Sequence, residues 1–289
     1  MADSRLRQLL AGGKLIVAPG VFDMISAKIA DRVGFDALYM TGYGTVASHL
    51  GLPDAGLATF SDMLSRVERI AAGTRTPLIA DADTGYGGLL NVRHTVKGYE
   101  AAGACAIQLE DQEFPKKCGH TPFRRVIPLA DMVRKIKVAV DARASSDFLI
   151  IARTDARTAH GLAEAISRGK AYGEAGADII FVESPETEAE MSQIGAEIGK
   201  PLLANMVDGG GRTPLLPAQR LQELGFAIAI YPSLGFLAAG AALQASYQAL
   251  QRDGSTGNLP VELFPFADFN KLIGFEEVWE FERRYVEVS

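Results

Sequence analysis

The chain has 289 residues, 48% of them apolar and 22% charged, with 29 Lys and Arg against 35 Asp and Glu for a net charge of −6. That apolar fraction excludes a disordered chain, and the length supports a core that folds without disulfides or structural metal. A mildly acidic chain lacks the concentrated basic surface that nucleic acid requires, and two cysteines, Cys105 and Cys118, cannot build a disulfide framework. Residues 1–14 alternate charged and apolar side chains without an apolar stretch of signal-peptide length, so a cytoplasmic protein is expected.

In chain order, short apolar runs alternate with helical patterns. Runs at 15–18, 37–40, 78–82, 106–109, 148–152, 179–182, 202–204 and 227–230 are mostly continuous, as parallel strands buried on both faces require. Helical periods fill the gaps, among them 61–72, 91–102 behind an Asn cap, 129–142, 162–175 and 217–224, where Pro217 suits a first helical turn. Gly34, Gly103, Gly176 and Gly225 each close a helix shortly before a strand, the place of a left-handed helix terminus. Eight such repeats predict an α/β fold closed into a (β/α)8 (TIM) barrel rather than an open sheet.

Residues 226–251 carry no charge and are long enough to cross a bilayer, but Tyr231-Pro232-Ser233 interrupts them and Gln244, Ser246 and Gln248 follow. A buried strand, a turn and a small-residue helix are expected there, with no membrane span. The tail 259–289 has two further helical patterns, 268–273 and 275–285, and its aromatic side chains need cover from the barrel or a neighbouring subunit. Without any linker-like segment, 1–289 reads as one domain with a helical extension from about 259.

In a parallel barrel, residues at the C-terminal ends of the strands converge on one mouth. Those positions hold Thr41-Gly42-Tyr43-Gly44, Asp81 and Asp83, Glu110 and Asp111, Arg153 and Asp155, Glu183, Asn205 and Tyr231. Asp81 and Asp83, two apart on a strand, point to one face, and like charges so close need a cation or a shared proton. With Glu110 on the next strand, an oxygen-only site suits Mg²⁺ or Mn²⁺ better than zinc; the alternative is a salt-bridge network with Arg153. Lys116-Lys117-Cys118-Gly119-His120 follows strand four, and a thiol flanked by two Lys and a His is suited to be a nucleophile or proton donor. The Lys pair and Arg124-Arg125 are read as holding an anionic substrate. Gly42-Tyr43-Gly44-Thr45-Val46-Ala47 fits a dinucleotide fingerprint, but it follows the second strand and lacks the acid about 20 residues on.

The segment Lys116 to His120 matches the K-[KR]-C-G-H signature of the isocitrate lyase and phosphoenolpyruvate mutase superfamily, which the chain resembles from about 15 to 284. Gly51-Leu52-Pro53-Asp54, Asp81-Ala82-Asp83-Thr84-Gly85, Leu109-Glu110-Asp111-Gln112, Ala152-Arg153-Thr154-Asp155 and Ala204-Asn205-Met206 resemble its other landmarks, in order. The resemblance implies a Mg²⁺-dependent barrel that exchanges its eighth helix with a partner subunit, usually in a homotetramer. It implies that Asp81, Asp83 and Glu110 serve the metal, with Asp54 and Glu110 acting through water. It also implies that Cys118, His120, Arg153 and Glu183 are catalytic, with Cys118 the proton donor on a mobile lid. Thr41, Gly42, Tyr43, Asp54, Lys116, Gly119 and Asn205 are then the substrate contacts.

Within that superfamily the intact Lys-Cys-Gly-His loop resembles the lyases rather than the mutases. Methylisocitrate lyases carry two arginines for a third carboxylate, at positions that align with Leu237 and Phe266. A carbon–carbon lyase acting on a 2-hydroxy dicarboxylate of the 2-methylmalate or 2,3-dimethylmalate type is therefore expected. The alternatives are a carboxyphosphonoenolpyruvate or phosphoenolpyruvate phosphonomutase, a methylisocitrate lyase, an oxaloacetate decarboxylase or, in another class, a non-catalytic binding barrel. Oxaloacetate hydrolases of the family are similar in having a serine near Pro232, and that activity fits less well.

Overall fold

All eight apolar runs are strands, their ends within three residues of expectation: β1 Ile16–Val21, β2 Leu38–Met40, β3 Leu78–Asp81, β4 Ala106–Glu110, β5 Leu149–Thr154, β6 Ile179–Val182, β7 Leu202–Asn205 and β8 Phe226–Tyr231. In this computed structural model, which describes residues 3–119 and 124–286, they pair in parallel in chain order. The barrel closes where β8 pairs with β1, Ile16 opposite Ile228 and Pro19 opposite Tyr231. α1 Arg5–Ala11 precedes the barrel, and around it run α2 Met24–Val33, α3 Gly42–Leu50, α4 Phe60–Gly73, α5 Leu89–Ala101, α6 Leu129–Ala142, α7 Ala156–His160, α8 Leu162–Glu174, α9 Glu188–Glu197 and α10 Ala218–Glu223.

Local chemistry sets the helix ends. Asp23 and Ser26 form a reciprocal capping box at the start of α2, and Thr59 and Asp62 do so for α4, each worth about 1 kcal/mol. Gly34, Gly103, Gly176 and Gly225 have φ of 89°, 96°, 107° and 90°, the left-handed conformation expected of them.

Strand side chains alternate between two apolar layers. One faces the helices; the other fills the barrel with Ile16, Ala18, Tyr39, Ile79, Ala106, Leu149, Ile151, Ile179, Phe181, Leu203, Ile228 and Ile230. Leu6 of α1 joins that interior, fully buried, with Leu9 and Leu10 against it. Arg5 donates to the Arg75 carbonyl (2.5 Å), and Arg7 pairs with Asp178 (3.0 Å) and donates to the Ser146 carbonyl. All three partners precede strands, so α1 stoppers the N-terminal end of the barrel.

The chain divides into two compact units, 1–235 and 236–289. The second holds most of α11 Leu234–Asp253, with α12 Phe266–Ile273 and α13 Phe275–Tyr285. Phe266, Phe275, Trp279, Phe281 and Tyr285 are exposed in it. Residues 226–251 are the expected strand, turn and helix, and among the described residues no helix is long and apolar enough to cross a membrane.

Candidate active site

The inward column of each strand continues upward into polar residues. Ile79 is followed by Asp81, Ala106 by Gln108 and Glu110, Leu149 and Ile151 by Arg153 and Asp155, Phe181 by Glu183, and Leu203 by Asn205. Period two thus carries the apolar filling of the lower barrel into a ring of buried charge at its C-terminal mouth.

On one side lie Asp81, the last residue of β3, and Asp83. Asp83 is beyond the strand, with φ of 49°, so a left-handed turn rather than strand alternation brings the two together; the Asp83 amide donates to Asp81 Oδ1 at 3.1 Å. Lys116 reaches in from the loop after β4, pairing with Asp83 Oδ1 at 2.5 Å and with Asp54 Oδ1, its own side chain 3% exposed. Burial, reinforced by Asp81 and Asp54, pushes the Asp83 carboxyl up to about 7 against the pull of Lys116, and burial also raises Asp81 and Glu110. Burial alone would lower Lys116, but Asp83, Asp54 and Glu110 outweigh it and raise it.

Among the described residues, no three His, Cys, Asp or Glu side chains converge as a ready ligand set. Two carboxylates with the remaining positions left to water or substrate is the arrangement Mg²⁺ favours. Glu110 Oε1 is buried without a hydrogen-bond partner, an acceptor that a hydrated cation satisfies. Asp54, Asp81, Asp83 and Glu110 share one ammonium and part of one guanidinium, so the donors present fit a divalent ion in number and charge.

On the other side, Arg153 pairs through Nε with Glu110 (3.3 Å) and through Nη2 with Glu183 (3.3 Å), and makes a two-pronged contact to Asp155 at 2.9 and 3.0 Å. Asn205 donates to Glu183 Oε2 at 3.0 Å. Gly119 lies directly on this pair: a Cβ there would stand 2.3 Å from Arg153 Nη2 and 2.9 Å from the Glu183 carboxylate. Ser184 Oγ donates to the Gly119 carbonyl at 3.2 Å, fixing the approach. Cys118, half-buried, is therefore one residue from the arginine cluster. His120 lies outside the described residues.

Thr41 is buried at the start of α3, and Gly42 sits so close to Asp81 that a Cβ would come within 2.6 Å of its Oδ2. The glycine-rich Gly42-Tyr43-Gly44 is not a free turn but the first turn of α3, with Tyr43 exposed. Arg124 and Arg125 do not face a substrate. Arg124 is buried on Asp155 (2.5 Å) and Thr158 (2.7 Å), and Arg125 pairs with Glu113 on the surface. Sequence reasoning places Asp155 on the rim without a role and passes over Gln108, whose amide donates to Asp81 Oδ1 at 3.3 Å while its carbonyl accepts from Tyr39. Extending the inward column by one residue on β4 would have found it.

The profile of the phosphoenolpyruvate phosphomutase family matches residues 6–251. The chain belongs to that family. Its sequence is 50% identical over 282 residues to 2,3-dimethylmalate lyase of Eubacterium barkeri, covering 98% of this chain and 97% of the relative. It is 40% identical to 2-methylisocitrate lyase of Aeropyrum pernix, covering 98% and 90%. The solved structure of a 2,3-dimethylmalate lyase superposes with a TM-score of 0.92 at 38% identity, covering 99% of this chain and 96% of that one. A phosphonopyruvate hydrolase solved with oxalate and Mg²⁺ superposes with a TM-score of 0.89 at 33% identity, covering 99% and 100%.

Proposed function

We propose that the chain is a Mg²⁺-dependent carbon–carbon lyase that cleaves a 2-hydroxy dicarboxylate of the 2-methylmalate or 2,3-dimethylmalate type to an α-keto acid and a carboxylate. The observation that carries this reading is the packing of Gly119 on Arg153 and Glu183, which sets Cys118 beside an anion-binding cluster. A lyase needs a proton donor at that place; a phosphonomutase has no carbon to protonate. The full-length similarity to a 2,3-dimethylmalate lyase supports it.

Asp81 and Asp83 would hold the ion directly, with Glu110 and Asp54 acting through water, and the bound ion supplies Lewis acidity at the 2-hydroxy acid end of the substrate. Gly42 and Tyr43, in the first turn of α3, would turn backbone N–H groups toward a substrate carboxylate, Thr41 would contribute its side chain because its own amide is donated to the Val21 carbonyl at 3.1 Å, and Lys116, Gly119 and Asn205 would complete the contacts. Loss of the hydroxyl proton to solvent water lets the C2–C3 bond break, its electron pair passing to C3 and the adjoining carboxylate as an enolate while the oxygen's lone pair forms the keto C=O. Arg153, held by Glu183, meets that charge together with His120. Cys118 gives its proton to C3, and water restores the thiol.

Leu237 and Phe266 align in sequence with the two arginines that serve a third carboxylate in methylisocitrate lyases. 2,3-Dimethylmalate should therefore exceed methylisocitrate in kcat/KM by about 10²-fold or more, since a site without the partner leaves a buried charge unpaired. Keto-acid release from malate, 2-methylmalate, 2,3-dimethylmalate, methylisocitrate and oxaloacetate tests the reading; no release from any of them, with phosphonate formation instead, refutes it.

The same reading takes 1–289 as one functional domain of a cytoplasmic homotetramer in which partner chains exchange the helix after β8. Supporting it, the loop 34–36 after α2, the start of β1 and α10 border an open cavity of about 660 Å³, and α11 carries exposed Leu237, Leu243 and Tyr247. Light scattering on the eluting protein measures the mass; a monomer overturns this part.

A further inference from the structure

Asp155 accepts from two arginines at once. Its Oδ2 takes Arg153 Nε at 2.9 Å, and its Oδ1 takes both Arg153 Nη2 at 3.0 Å and Arg124 Nη1 at 2.5 Å. The carboxylate is fully buried, and the Arg124 side chain is 1% exposed. Burial pushes the Asp155 carboxyl up, yet the two guanidinium groups outweigh it and hold it below the usual range. Behind it, Asp111 Oδ1 accepts the Asp155 amide at 2.9 Å, while Oδ2 accepts Thr154 Oγ1 and Tyr172 Oη at 2.7 Å and Arg168 Nη1 at 3.1 Å. The carboxylate is thus fixed from three directions: from its own backbone, from Arg153, and from Arg124 in the segment that follows the Cys118 loop.

We propose that Asp155 is a positioning residue for Arg153 and that Arg124 is the second half of the same device, locking the shared carboxylate so that the Arg153 guanidinium has one orientation. Neither residue touches substrate. Arg153 carries freedom about several bonds, and its contacts to Glu110 and Glu183, at 3.3 Å each, are the looser ones. The two-pronged contact to Asp155 sets the plane of the guanidinium. Asp155 can set it only while its own rotation is stopped, and Arg124, tied also to Thr158 Oγ1 of α7, stops it.

The inference rests on the reading that Arg153 meets the anionic substrate, and the test separates the two. Wild-type protein, Asp155→Asn, Arg124→Lys and the double variant are compared for oxalate binding in the presence of Mg²⁺ by calorimetry, for keto-acid release, and for thermal midpoint. Oxalate needs no turnover. If wild-type protein binds oxalate but releases no keto acid, the lyase reading fails alone and the binding arm still decides the positioning claim; binding of neither overturns both.

The sign of the Asp155→Asn effect is decisive. Removing a negative charge next to Arg153 would tighten anion binding if charge alone mattered, whereas loss of orientation weakens it. We expect oxalate affinity to fall about 5-fold or more and kcat about 10- to 100-fold, the range typical of groups that orient a primary contact. Arg124→Lys keeps the charge and loses the planar fork, so it should lower kcat severalfold without altering the field. The double variant should be no worse than Asp155→Asn, because both act through one guanidinium. Tighter oxalate binding by Asp155→Asn overturns the proposal, as do unchanged kcat and affinity or multiplying effects in the double variant. If Asp155→Asn fails to fold, Arg124→Lys decides: wild-type kcat in a protein of wild-type thermal midpoint refutes the positioning role.

Discussion

Replacing Gly119 by Ala adds one methyl group where the structure has no room for it. The new carbon would lie 2.3 Å from Arg153 Nη2 and 2.9 Å from Glu183 Cδ and Oε2, against an ordinary contact of about 3.5 Å, so something must give by about 1 Å. The end of a long side chain usually yields at little cost, but this one is held by Asp155, Glu110 and Glu183 together. Either Arg153 leaves its partners or the loop lifts away and takes Cys118 with it. A misplacement of about 1 Å costs on the order of 10²-fold in rate, which is about 2.7 kcal/mol of barrel-mouth geometry lost at the transition state. The substitution leaves the barrel core untouched, so the thermal midpoint should hold. Steady-state release of keto acid from 2,3-dimethylmalate, with circular dichroism melts of the same samples, is the measurement. A Gly119→Ala protein with wild-type kcat would mean that Gly119 leaves the arginine pair during catalysis, and the placement of Cys118 argued above would fall with it.

Chelation should abolish turnover and added Mg²⁺ restore it, while Asp83→Ala lowers kcat/KM by about 10²-fold or more, the worth of several kcal/mol of Lewis-acid stabilisation; full activity without metal refutes the assignment. Cys118→Ser should lower cleavage by about 10²-fold with oxalate binding retained, since a hydroxyl is a far weaker acid than a thiol; unchanged cleavage places the proton donor elsewhere. Iodoacetamide should label Cys118 and spare Cys105 in the folded protein. Burial pushes the Cys105 thiol up to about 11, so at pH 8 only about one molecule in a thousand carries the reactive thiolate; peptide mass spectrometry finding equal labelling contradicts this.

The barrel was legible because a strand buried on both faces leaves a continuous apolar run, and each αβ joint carries a glycine in a conformation other residues avoid. The carboxylates of the mouth were legible for a related reason: charge at the end of an apolar run is costly unless it is used. Two things escaped the sequence. Asp83 was assigned to its partner's face by strand periodicity, yet β3 ends at Asp81 and a left-handed residue does the work; periodicity cannot reveal where a strand stops. Arg124 was read together with Arg125 as holding an anionic substrate, because adjacent residues in a loop give no period from which burial can be read. Its partner, Asp155, is 31 positions away, and its place depends on the closure of β4 against β5. Short-range pattern thus reports which strands carry the mouth. The pairing among its buried charges is set by which strands are neighbours in the closed barrel, and that follows from topology rather than from local residue order.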